Sequence, residues 1–211
     1  MKFFRLLIFL SCGVSGLQAA PAFATIDEAI AKGDLNDVRL HVAADPASLN
    51  KGGRENSRPP LEQAVMRNKT EIAVFLIDSG ADTQTVNASK RTPLHLAVDR
   101  NNPQVAAALL KAGAKPNERD GEGWTPLHHA AAKNQLEMAR ALLAGGADLK
   151  ILSELGGTPL HEAAASGGKE LIQLFLEHKV DPSVKSKQGV TALDIAKEYK
   201  NQAAIEILSK L

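Results

Sequence analysis

A hexapeptide that returns every 33 residues constrains this chain more than any other feature. Thr92-Pro93-Leu94-His95-Leu96-Ala97 recurs as Thr125-Pro126-Leu127-His128-His129-Ala130 and as Thr158-Pro159-Leu160-His161-Glu162-Ala163. One period further stands Thr191-Ala192-Leu193-Asp194-Ile195-Ala196, and one period back stands Pro59-Pro60-Leu61-Glu62-Gln63-Ala64, both degenerate copies. A fixed period of this length specifies a stack of similar units, each resting on its neighbours, instead of one globular core.

The motif's chemistry accounts for its order. Threonine caps a helix with its hydroxyl, proline at the first helical position needs no backbone donor there, and leucine then enters the core. About eight residues later a second helix is expected, whose apolar positions keep register across copies. These are Ile72, Val105, Met138 and Leu171, then Leu76, Leu109, Leu142, Phe175 and Leu208. Such a face must be buried. Gly80, Gly113 and Gly146 follow the second helices where a left-handed cap is wanted, and Lys179 stands at the same place in the fifth copy.

The Thr-Pro-Leu-His-x-Ala motif and its period resemble the ankyrin repeat, and the resemblance covers the chain from about Thr25 to Leu211. It implies an all-α solenoid of about six helix-turn-helix repeats with short β-hairpin-like turns. The repeats are expected at about 25–53, 54–86, 87–119, 120–152, 153–185 and 186–211. The end copies should cap the stack. Thr25-Ile26-Asp27-Glu28 reads as a capping box opening a helix through about Lys32. Asp34 to Ala43 supplies the first copy's second helix, with Val38, Leu40 and Val42 as its core candidates. Residues 51–58 are polar and glycine-rich and read as a longer, mobile loop. The sixth copy ends the stack with a second helix from Ala203 to Leu208.

Residues 1–24 read differently. Lys2 and Arg5 precede an apolar run from Leu6 to Leu10, and small residues gather from Ala19 to Ala24, the layout of a secretory signal peptide. Ala22-Phe23-Ala24 fits the small-x-small rule, which places the cut after Ala24, while a cut after Ala20 would leave Pro21 behind the broken bond. The apolar run is too short for a membrane anchor, which needs about 20 residues. Cys12, the single cysteine, lies in this leader, so the mature chain has no disulfide. Lipid attachment at Cys12 is the lesser alternative. Without residues 1–24, Lys plus Arg falls from 25 to 23 against 24 Asp plus Glu, a net charge of −1 that favours neither nucleic acid nor an anionic membrane.

No motif points to catalysis. The chain has no nucleophile elbow, phosphate loop or complete zincin helix, since His161-Glu162 is followed by alanine at position 165. Histidines recur at 95, 128 and 161, with His129 beside one of them. Zinc would need imidazole nitrogens about 2.0–2.1 Å from one ion, whereas neighbouring helices pack about 8–10 Å apart. Each motif histidine is therefore expected to hold its own turn, and no metal or cofactor is expected.

What remains is a binding surface. Ankyrin relatives bind protein partners with the loop tips ahead of each motif and with the exposed side of the first helices, which together line a concave face. Carried onto this sequence, the lead contacts are Trp124, Arg91 and Arg100, because tryptophan and arginine dominate interface hot spots, followed by Glu122, Asp99, Leu155 and Met66. Lys90 replaces the tip glycine of the third copy. The sequence thus reads as a monomeric, non-catalytic periplasmic adaptor or inhibitor of one protein partner, either neutralising a toxin or supporting an envelope or oxidative-stress enzyme. The alternative is a secreted effector that docks on host proteins.

Overall fold

The computed structural model describes residues 20–53 and 57–211, and every α-helix in it is one half of a repeat. The first helices are α1 (Ile26–Lys32), α3 (Pro60–Met66), α5 (Pro93–Asp99), α7 (Pro126–Ala132), α9 (Pro159–Ser166) and α11 (Ala192–Glu198). The second helices are α2 (Leu35–Ala44), α4 (Thr70–Asp78), α6 (Pro103–Lys111), α8 (Leu136–Ala144), α10 (Lys169–Glu177) and α12 (Gln202–Leu208). First helices pack on first helices and second on second, giving two layers that run the length of the stack. No β-strand occurs among the described residues. The tips of the third to sixth repeats are turns, each closed by two backbone hydrogen bonds such as Asp120 N–H to the Trp124 carbonyl at 2.9 Å and Gly123 N–H to the Asp120 carbonyl at 3.0 Å.

Helix starts follow from the motif. Thr92, Thr125, Thr158 and Thr191 cap α5, α7, α9 and α11, with Pro93, Pro126 and Pro159 in the first turn of their helices. At the front, the Thr25 hydroxyl accepts the Glu28 N–H at 3.3 Å and opens α1 as expected. The second helices begin later than the motif spacing suggests, α6 at Pro103 and α8 at Leu136. The reason is a left-handed residue that closes each first helix: Asn68, Asn101, Asn134 and Lys200, with φ between 48° and 55°. Asparagine tolerates this conformation better than other non-glycine residues. The fifth copy departs from the rule, because Gly167 is extended there and α9 runs on to Ser166. Gly80, Gly113 and Gly146 have φ near 90° as expected, and Lys179 adopts φ 56°.

The core lies between the layers. All nine in-register apolar residues of the second helices are buried. Both layers interleave large and small side chains: Leu61, Leu94, Leu127 and Leu160 with Ala64, Ala97, Ala130 and Ala163 in the first, and Leu76, Leu109, Leu142 and Phe175 with Ala73, Ala106 and Ala139 in the second. Each fully buried leucine contributes about 1.5–3 kcal/mol, so the repeated column supplies the stability that a chain with a single cysteine must find in packing.

One expectation for the first repeat changes. In α2, Val38 is buried and Val42 packs against the core, but Leu40 is only half-buried, while the charged Asp37 is buried at 3% exposure. Ahead of the stretch read as a mobile loop, a 3-10 turn covers Pro46–Leu49, and the Asn50 side chain accepts the Asp82 N–H at 2.9 Å. Residues 54–56 of that stretch, and residues 1–19 of the leader, lie outside the described residues.

Candidate functional site

The histidines expected to hold their own turns do so, and each also holds the next repeat. The Thr92 N–H and hydroxyl both donate to Nδ1 of His95, at 3.2 and 2.9 Å. That leaves the proton on Nε2, which donates to the Trp124 carbonyl of the following tip at 3.1 Å. His128 makes the same bridge from Thr125 to the Gly157 carbonyl, and His161 from Thr158 to the Val190 carbonyl. Burial pushes His95 and His128 down to about 4, so both are neutral at neutral pH. In the last repeat Asp194 replaces histidine, accepting from the Thr191 N–H and hydroxyl at 2.9 and 2.7 Å. A carboxylate has no donor to offer onward.

Between the third and fourth repeats a charged cluster forms where their tips meet α5 and α7. The Arg91 guanidinium grips Asp99 through two hydrogen bonds, at 2.6 and 3.2 Å. Lys133 reaches the same carboxylate at 2.5 Å. Arg91 also lies 3.6 Å from Asp120, whose carboxylate pairs with Nε2 of His129 at 2.7 Å and accepts the N–H groups of Glu122 and Trp124 at 3.0 Å. Burial opposes the charge on Asp99, but Lys133 and Arg91 overcome it and hold its carboxyl below the usual range. Burial likewise works against the Asp120 charge and is outweighed by His129 and the two backbone donors. Burial lowers His129, against the pull of Asp120. The Trp124 ring packs on His129, with centroids 4.9 Å apart.

Three of the candidate contacts sit in this cluster: Arg91 and Asp99 pair with each other, and Trp124 is half-buried on the histidines. Helix spacing alone separated the histidines too strictly. His95 and His129 occupy different motif positions, and their rings meet at 5.8 Å. With Asp120 they place ligand atoms within 4.8 Å of one another. Even so, a metal does not fit this cluster. Both nitrogens of His95 are already used, and the Arg91 guanidinium lies 3.3–3.4 Å from the His129 ring nitrogens, occupying the cation's place. Lys133 and His129 were not singled out as a network from sequence, because Lys133 meets Asp99 and His129 meets Arg91 across a repeat boundary.

The remaining candidates are available. Arg100 is exposed and Met66 half-buried, and both line one open cleft of about 690 Å³ with Ser57, Arg58, Gln63 and Arg67. Of its three arginines, Arg58 pairs with Glu62 at 3.3 Å, while Arg67 and Arg100 point into the cleft region from the ends of α3 and α5 without an ion pair among the described residues. Glu122 and Leu155 are exposed on the tips of the fourth and fifth repeats, Leu155 at 64%. The tips are braced to one another, since the Gly121 N–H bonds the Ser89 carbonyl and the Lys187 N–H the Leu155 carbonyl. Lys90, in the tip where glycine was expected, takes φ 56° and keeps the turn.

The family model for ankyrin repeats (3 copies) matches residues 26–120, 61–153 and 127–211, so the matched segments run unbroken from α1 to the end of the chain. The chain belongs to the ankyrin-repeat family. No curated protein matches it. Ankyrin repeats are generally a protein-binding fold, and in this ankyrin stack His95, His128 and His161 are engaged in bracing one repeat against the next. No helix among the described residues is long and apolar enough to cross a membrane.

Proposed function

We propose that this ankyrin protein is a periplasmic adaptor or inhibitor that binds one protein partner through its concave face. The observation that carries the reading is the cleft between the second and third repeats, where Arg67 and Arg100 stand unpaired beside the apolar wall of Met66. An unpaired, exposed arginine beside apolar surface is the residue type most enriched at binding hot spots. The chemistry favours a partner segment bearing a carboxylate, since guanidinium groups recognise carboxylates with two parallel hydrogen bonds. Leu155 and Glu122 extend the surface along the tips. The charged leader supports an envelope location, and the toxin-neutralising and enzyme-supporting versions share this surface.

The test is capture of a partner from periplasmic extract by the exported protein, run beside an Arg67→Glu, Arg100→Glu variant. Both side chains are exposed at helix ends, so the variant should keep its melting temperature. The expected result is one partner held by the parent, released by added salt, and lost in the variant. Equal retention by both proteins would exclude this cleft, and recovery of the protein in the culture medium would favour the exported effector.

A further inference from the structure

Ala22 and Phe23, inside the segment read as leader, are built into the first repeat. Asp37 of α2 is buried at 3% exposure and accepts the N–H groups of both residues, Phe23 at 3.2 Å. His41, one turn further along α2, stands 3.4 Å from the same carboxylate and 3.1 Å from the Phe23 carbonyl. The Phe23 side chain packs against the core. A cut after Ala24 would remove Ala22 and Phe23 and leave only His41 beside Asp37. It would leave a buried carboxylate without its backbone donors and open the apolar site that Phe23 covers, both of which are costly.

We propose that the leader is removed between Ala22 and Phe23, so that the mature protein begins at Phe23; this gives up the Ala22 N–H on Asp37 but keeps the Phe23 nitrogen on the carboxylate and the Phe23 ring on the core. Ala20-Pro21-Ala22 satisfies the small-x-small rule as well as Ala22-Phe23-Ala24 does. Hydrolysis there adds water across the Ala22–Phe23 bond, leaving a carboxylate on the leader and an ammonium group on Phe23. An envelope leader peptidase supplies the catalysis before the chain folds. The new ammonium then sits where the Phe23 N–H is now, 3.2 Å from Asp37, and converts a hydrogen bond into a charge-assisted pair. An α-amino group with an ordinary pKa of about 7.7–8.0 is protonated at neutral pH. The new terminus therefore satisfies the one buried acid of α2. The inference rests on the export reading and is independent of the partner.

The decisive measurement is the intact mass of the full chain after expression in a bacterial host with an envelope. A product beginning at Phe23 is expected. Ala24→Arg alters the last residue before the rival cut and should be processed at the same bond as the parent. Ala20→Arg alters the −3 position of the proposed cut and should block it. A product beginning at Thr25, or processing blocked by Ala24→Arg and not by Ala20→Arg, overturns the assignment while leaving export intact. A product retaining residues 1–22 inside the cell overturns the export reading itself. As a second measure, a chain made to begin at Phe23 should melt higher than one made to begin at Thr25, and equal melting temperatures would show that Phe23 is not part of the mature fold.

Discussion

Single residues in this chain are held in conformations and charge states that their neighbours impose. Lys179 is the simplest case, an exposed lysine at φ 56° in the place where three other repeats use glycine. A left-handed non-glycine residue costs about 1–2 kcal/mol, part of which glycine's own chain entropy offsets. Lys179→Gly should therefore stabilise the protein by about 0.5–1 kcal/mol in urea titration; a loss of stability would mean that the lysine stem packs on the repeat. Glu162 is the charged case. Burial alone raises its carboxyl to about 7 from an ordinary 4.5. Between these values the folded chain holds a proton that the unfolded chain has released. Its contribution to stability is thus present at low pH and lost as pH rises through about 7. Glu162→Gln should gain about 1–2 kcal/mol at pH 8, with the gain shrinking toward zero near pH 4.5. A pH-independent difference in parallel denaturation curves would refute that origin.

At the scale of elements, the repeats are joined by polar bridges that the motif only half discloses. Thr92, His95 and the Trp124 carbonyl tie one first helix to the next tip, and the same triad recurs one and two repeats on. The Arg91 cluster adds a second tie between α5, the fourth tip, α7 and Lys133 just after it. Removing the arginine leaves two carboxylates short of a cation, one of them buried. Arg91→Ala is expected to cost about 1–3 kcal/mol, with Arg91→Lys recovering only part because lysine cannot grip Asp99 with two parallel bonds. Thermal unfolding monitored by circular dichroism would decide the point. An unchanged midpoint would mark the cluster as a mere surface arrangement and return Arg91 to the list of binding candidates.

Over the whole molecule, stability belongs to the stack. No repeat covers its own apolar face, and the ends must be sealed by copies with one more polar side. In the sixth repeat, Ala192, Ala196, Ala204 and Leu208 are buried against the fifth, while Lys197, Glu198 and Glu206 face solvent. A chain ending at Ser183 should expose the faces of α9 and α10, melt at lower temperature and aggregate in light scattering. If it stays soluble with an unchanged midpoint, the sixth repeat is not the cap. The period of 33 and the placement of threonine, proline, leucine and glycine determined the helices, the two-layer stack and the buried columns, because each follows from local geometry repeated in register. Periodicity could not show which polar side chains were free. Arg91, Asp99 and Trp124 read as open surface, and only the tertiary structure paired them, since their partners come from other segments. The tertiary structure likewise brought His95 to His129 and set Ala22 and Phe23 on Asp37. The His95–His129 contact depends on the rise and rotation between neighbouring repeats, and the others on how a tip or the leading segment folds back on its own repeat, neither of which the periodicity contains.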